Sequence, residues 1–148
     1  MGASPVQNAK TVIAITVLVR KLSVAAGCFV RVRTFVSGGQ VYYEAFKTCH
    51  SDGTESENAN LTRIEGNVCV GYGRPLNRGV VHLNHVGWNF DGYGNLIGTV
   101  VITETNVVAR NGKTYQGTFN DKFYDLNGNL ICEVPGTQTA TRITPKNP

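Results

Sequence analysis

A chain of 148 residues has the size of one domain, and with 41% hydrophobic residues it has enough apolar surface for a sizeable core. The formal net charge of +4 comes from residues 1–48, where Lys10, Arg20, Lys21, Arg31, Arg33 and Lys47 face only Glu44. Arg31 and Arg33 fall on one side of a predicted strand rather than in an aromatic-studded groove, which argues against nucleic-acid binding.

Residues 1–27 have two readings. Thr11–Val19 is a run of Val, Ile, Thr, Ala and Leu that suits a first strand, or the hydrophobic part of a signal peptide preceded by Lys10 and followed by Val24-Ala25-Ala26. Arg20-Lys21 interrupts the second pattern. Ala25-Ala26-Gly27-Cys28 resembles a lipoprotein cleavage box with alanine where leucine is usual. The run is too short to span a bilayer as a helix. Secretion or a periplasmic location follows from the first processing signal, and a cytoplasmic location from its retention.

Cys28–Val36, Gln40–Cys49 and Leu61–Gly71 are the next predicted strands, with His50–Asn60 as a polar loop between the last two. No stretch repeats apolar residues at helical spacing. Cys28, Cys49, Cys69 and Cys132 contain no CxxC pair, so a structural zinc site is not expected; in an oxidising compartment a Cys49–Cys69 bridge is the preferred pairing. Asn60-Leu61-Thr62 is a glycosylation sequon, meaningful only in a eukaryotic secretory route. Gly71 to Gly79 reads as a turn-rich loop in which Arg74 and Arg78 stand ready to guard a pocket mouth.

Gly79 to Thr144 carries most of the positional information and reads as four long strands joined by three hairpins. Asn111-Gly112 predicts a two-residue type I′ turn. Phe90-Asp91-Gly92-Tyr93-Gly94-Asn95-Leu96-Ile97 and Tyr124-Asp125-Leu126-Asn127-Gly128-Asn129-Leu130-Ile131 resemble each other, and each predicts a type I turn closed by a left-handed Gly in a G1 bulge. These turns set a register with Val108 opposite Tyr115, Trp88 opposite Gly98, His82 opposite Glu104, and Asp121 opposite Glu133. Val80, Val86, Trp88, Phe90, Leu96, Val100, Ile102, Phe119, Phe123 and Ile131 then share one apolar face.

Together the candidates predict an all-β fold, an antiparallel up-and-down meander of about eight long strands beginning at Thr11 and closed as a barrel, with a β-sandwich as the alternative. Residues 28–148 form the domain in either case. In strand count and meander the arrangement resembles lipocalin-type (calycin-like) and allene oxide cyclase-type barrels; Gly87-Trp88 is not the Gly-x-Trp of lipocalins and lies in another strand. The resemblance implies a barrel interior open to a small molecule.

That interior is where the sequence places its chemistry. His82, Glu104, Asp121 and Glu133 are the candidate catalytic residues: opposed carboxylates share a proton and split their pKa values, as acid–base chemistry requires. Asn84, Asn106, Tyr115 and Arg74 are candidate polar ligand contacts, and Trp88, Phe90, Phe119 and Phe123 candidate aromatic walls. His85 lies three residues from His82 and is expected on the other face, so no metal site is expected, nor any cofactor, since Walker and dinucleotide motifs are missing. The readings that follow are a structural ion-pair network, a barrel binding a small apolar or amphipathic molecule, a carboxylate/His-dependent isomerase, cyclase or hydrolase, and a subunit of an extracellular assembly or homo-oligomer whose first strand joins a neighbour's sheet.

Overall fold

The computed structural model describes residues 28–36 and 40–144. The expected Thr11–Val19 strand, the signal-peptide reading and the strand-exchange reading fall outside the described residues. β1 is Cys28–Val36; after it come β2 Val41–Cys49, β3 Thr54–Ala59, β4 Val68–Asn77, β5 Val80–Phe90, β6 Leu96–Val108, β7 Thr114–Asp125 and β8 Leu130–Arg142. From β2 to β8 each strand pairs antiparallel with the next, giving a seven-strand meander that curls on itself. Among the described residues there is no helix, and hence none long and apolar enough to cross a membrane.

The strand boundaries differ from expectation between Cys49 and Gly79. The supposed polar loop His50–Asn60 contains β3, and Leu61–Gly71 is mostly a turn-rich connection that enters β4 only at Val68. Gly71 to Gly79, expected as a loop, is the second half of β4 and its turn into β5. β3 reads Thr-Glu-Ser-Glu-Asn-Ala, polar on both faces, so alternation of apolar residues could not mark it.

The two Asp-x-x-Gly hairpins have the same geometry. Asp91 Oδ1 accepts from the Tyr93 and Asn95 amides and its Oδ2 from Asn95 Nδ2; Asp125 does the same with Asn127 and Asn129. Gly94 and Gly128 adopt φ of +86° and +83°, the left-handed conformation that a Cβ disfavours. The middle hairpin keeps the expected Val108–Tyr115 register but not the expected turn: Ala109 and Thr114 close it, and only Gly112, not Asn111, has positive φ.

Beyond each Asp-x-x-Gly turn the expected register fails by one residue. Phe90 does pair with Leu96, but Asn89 then pairs with Gly98, leaving Ile97 as an extra residue; Tyr124 pairs with Leu130, and Phe123 with Cys132, leaving Ile131. A single extra residue inverts the facing of everything beyond it. β5 therefore turns Leu83, His85 and Gly87 to the concave face and β8 turns Gln138 and Ala140, whereas β6 and β7 keep Ile102, Glu104, Asn106, Phe119 and Asp121 there as expected. Val86 and Trp88, expected inside, stand on the convex surface, where Trp88 is 62% exposed.

The concave face is unusual for a core. Its apolar part is small: Tyr43, Ala45, Ala59 and Ala140 pack with Tyr115 into one cluster, and Cys69, Leu83, Ile102 and Phe119 are buried elsewhere. Lys47, Glu55, Glu57, His85, Glu104, Asn106, Asp121 and Gln138 are all buried beside them.

Candidate functional site

Lys47, Glu55, Glu57, His85, Glu104, Asn106 and Gln138 form one connected cluster. Lys47 Nζ donates to Glu104 Oε1 at 2.5 Å and lies 3.0 Å from Glu57 Oε2. His85 Nε2 lies 2.9 Å from the same Glu104 oxygen, and an ionised carboxylate only accepts, so Nε2 carries the proton. Glu104 Oε2 accepts from Asn106 Nδ2 at 2.8 Å, and Asn106 Oδ1 accepts from Gln138 Nε2 at 3.1 Å. On its other side His85 Nδ1 is 3.1 Å from Glu55 Oε1, within ion-pair distance but off hydrogen-bond geometry.

Inward-facing glycines make room for these contacts. Glu55, Gly71 and His85 occupy one rung across β3, β4 and β5, and a Cβ at Gly71 would lie 2.4 Å from the His85 Cβ. Asn106, Gly117 and Gln138 occupy another across β6, β7 and β8, and a Cβ at Gly117 would lie 2.3 Å from Asn106 Oδ1. In both rungs a missing side chain lets polar groups two strands apart meet.

Charge is unevenly balanced in the cluster: Glu55, Glu57, Glu104 and Asp121 surround Lys47 and His85. Burial pushes the Glu104 carboxyl up, but the Lys47 ammonium and the His85 hydrogen bond outweigh it and hold it below the usual range. Burial pushes Lys47 down, and Glu104 with Glu57 reverses this, holding it well above the ordinary lysine value. His85 is also raised: burial and Lys47 oppose its charge, and the hydrogen bond and charge of Glu104 prevail. Asp121 has no such partner. Burial first, then Glu57 and Glu104, push it up to about 7. Burial likewise raises Glu55, although Lys47 and His85 partly offset it.

Donor atoms of Glu57, His85 and Glu104 lie within 4.8 Å of one another, close enough to hold a divalent cation. The Lys47 ammonium already sits against Glu57 and Glu104, so an internal cation fills that role.

A cavity of about 100 Å³ opens above the cluster, at the end of the sheet that carries the Asn111-Gly112 hairpin. Val81, Leu83, Val108, Tyr115 and Ala140 form an apolar neck, Glu55 and Asn106 lie on its wall, and Arg74, Lys113 and Arg142 line it as well. Through Glu55 and Asn106 the cavity touches the chain of contacts that runs to His85, Glu104 and Lys47.

The expected site residues divide accordingly. Glu104, Asp121, Asn106 and Phe119 are buried on the concave face. Tyr115 and Arg74 line the cavity, while Phe123 is half-buried opposite Cys132. His82 faces the other way, with Nδ1 3.3 Å from Thr105 Oγ1, and Asn84 is exposed. Glu133 is convex and exposed, bound to Asn120 Nδ2 at 2.8 Å and Lys122 Nζ at 3.2 Å, so it does not oppose Asp121. Phe90 is half-buried beside Gly66, and Trp88 is no cavity wall.

His85 takes the inward place assigned to His82. Lys47, Glu55, Glu57 and Gln138 have no counterpart in the expected site. Cys49 and Cys69 flank β3 on β2 and β4, opposite Glu55 and Glu57, and no bridge joins them; burial raises the Cys69 thiol to about 12. No family model, curated protein or solved structure matches the chain.

Proposed function

We propose that the protein is a small-molecule-binding β-barrel whose ligand enters at the Asn111-Gly112 end. The observation that carries this reading is the apolar neck of Val81, Leu83, Val108 and Ala140 leading to Glu55 and Asn106: a concave, mostly apolar recess with few polar groups at its inner end is the usual form of a ligand site. Closure into an eight-stranded barrel belongs to the same proposal. It is supported by the backbone partners of β1, which run from Cys28↔Cys49 to Arg33↔Glu44 along β2 and from Val30↔Arg142 to Val36↔Gly136 along β8.

Unpartnered buried atoms add weight. Glu55 Oε2, Glu57 Oε1, Asp121 Oδ1 and Tyr115 Oη have no hydrogen-bond partner among the described residues, and buried polar atoms of this kind are ordinarily met by water or ligand. The test is intact mass of protein from its native source, under gentle and then denaturing conditions. A small-molecule mass lost on denaturation is expected. A bare chain, together with no thermal stabilisation by any of a set of small amphipathic compounds, counts against the reading.

A second reading is favoured by the position of Glu55. It is an acid on the cavity wall, backed by His85 and then Glu104, an arrangement suited to moving a proton to or from a bound molecule. In this reading the protein is a carboxylate/His-dependent isomerase, cyclase or hydrolase. Glu55→Gln should then abolish turnover of the co-purified molecule without loss of folding, and full turnover in that variant would remove the enzyme reading.

A further inference from the structure

The two ends of the sheet differ in charge. The Asn111 end brings together the β2–β3 and β4–β5 turns, the Arg110–Lys113 hairpin and the end of β8, and with them Arg74, Arg78, Arg110, Lys113 and Arg142. Among the described residues Asp52 is the acid of those turns, and its Oδ1 is engaged by the Thr54 amide and hydroxyl at 2.9 and 2.7 Å. The opposite end carries Glu65, Asp91 and Asp125 against Arg63. Charge of one sign around an opening raises the local concentration of the opposite ion.

Arg74, Lys113 and Arg142 line the cavity, whose inner wall carries Glu55 with Glu104 behind it. An anionic group is therefore attracted at the opening and repelled at the inner end. Apolar side chains separate the two zones. The cavity of about 100 Å³ is smaller than the roughly 150 Å³ that accepts benzene, which limits the enclosed body to about four or five carbons.

Resting on the cavity reading above, we propose that the ligand is a small organic anion, bound with its short apolar body inside the neck and its carboxylate or equivalent head outward among Arg74, Lys113 and Arg142. A cationic head would have to pass these same three residues and would find Lys47 and His85 already set against the inner carboxylates. A head pointing inward would place an anion beside Glu55.

Calorimetric titration with pentanoate, pentanol and pentylammonium separates charge from shape. Pentanoate is expected to bind about tenfold more tightly than the other two at low salt, since three cations at a water-filled opening each contribute a fraction of that factor. The advantage should shrink in 0.5 M salt through screening. Arg74→Gln, Lys113→Gln and Arg142→Gln combined should bring pentanoate to the level of pentanol, while Val81→Phe should weaken pentanoate and pentanol together. Equal binding of pentanoate and pentanol, sensitive to Val81→Phe, overturns the anion proposal and leaves the cavity. Tighter pentylammonium reverses its sign. Absence of binding by all three, or binding indifferent to Val81→Phe, overturns the cavity reading as well.

Discussion

Glu55 and His85 face each other over Gly71 on a single rung of the sheet, with Glu55 Oε1 3.1 Å from His85 Nδ1. The missing side chain between them joins the cavity wall to the buried cluster. Gly71→Ala should therefore destabilise the fold by about 2–3 kcal/mol, as overpacking does, because its Cβ would lie 2.4 Å from His85 Cβ and 2.5 Å from the Asn84 carbonyl oxygen. Urea denaturation checks this; unchanged stability would mean that the two strands lie farther apart.

Lys47 is the buried counterion of two carboxylates. Replacing it by Met should cost about 3–5 kcal/mol, because Glu104 and Glu57 would remain buried without it. Lys47→Met combined with Glu104→Leu should cost less than the sum of the single changes by more than about 1 kcal/mol. A double-mutant cycle by chemical denaturation gives the coupling, and additivity would contradict the contact.

Asp121 gives the stability a pH dependence. Its folded pKa, about 7, lies above its ordinary 3.8, so the native state holds the proton more firmly. Its contribution is complete below about pH 4 and is lost as pH rises through about 7. His85, also raised from its ordinary value, acts in the same direction. Asp121→Asn should therefore be more stable than the parent protein at pH 8.5 by on the order of 2–4 kcal/mol, with the gap narrowing toward pH 5. Thermal denaturation across this range measures it, and an opposite slope would show that Asp121 is charged and paired in the native state.

Glu133 separates the observed register from the one that the turns alone suggest. On the convex surface, with Lys122 and Glu133 34% and 39% exposed, their ion pair is screened by water, and Glu133→Ala should leave stability nearly unchanged. If Glu133 faced Asp121 inside, its removal would stabilise the protein markedly at neutral pH by relieving like-charge repulsion.

The turn residues made the β6–β7 register and the two G1 hairpins legible, because Asp, Asn and Gly at fixed offsets encode turn geometry. The extra residues Ile97 and Ile131 were not legible from the turns. Gly98 offered a signal for the first bulge: glycine inside a strand marks a bulge or a close backbone approach, and a Cβ here would lie 1.8 Å from the Tyr124 carbonyl oxygen. Ile131 has no such neighbour, although its loop copies the first. β3 was hidden for another reason. A search for apolar residues facing inward passes over Glu55 and Glu57, whose burial makes sense only once Lys47 and His85 are placed opposite them. Glu104, Asp121 and Asn106 were correctly turned inward because β6 and β7 contain no bulge between them.

The most direct test of the account is to locate a bound anion by two-dimensional NMR of the isotopically labelled protein during titration with pentanoate. Saturable shifts are expected, centred on Glu55, Leu83, Asn106, Val108, Tyr115 and Ala140, with Arg74 and Lys113 responding at the opening. Shifts centred instead on the exposed convex residues Val70, Tyr72, Val86 and Trp88, or no saturable shifts at all, would contradict it.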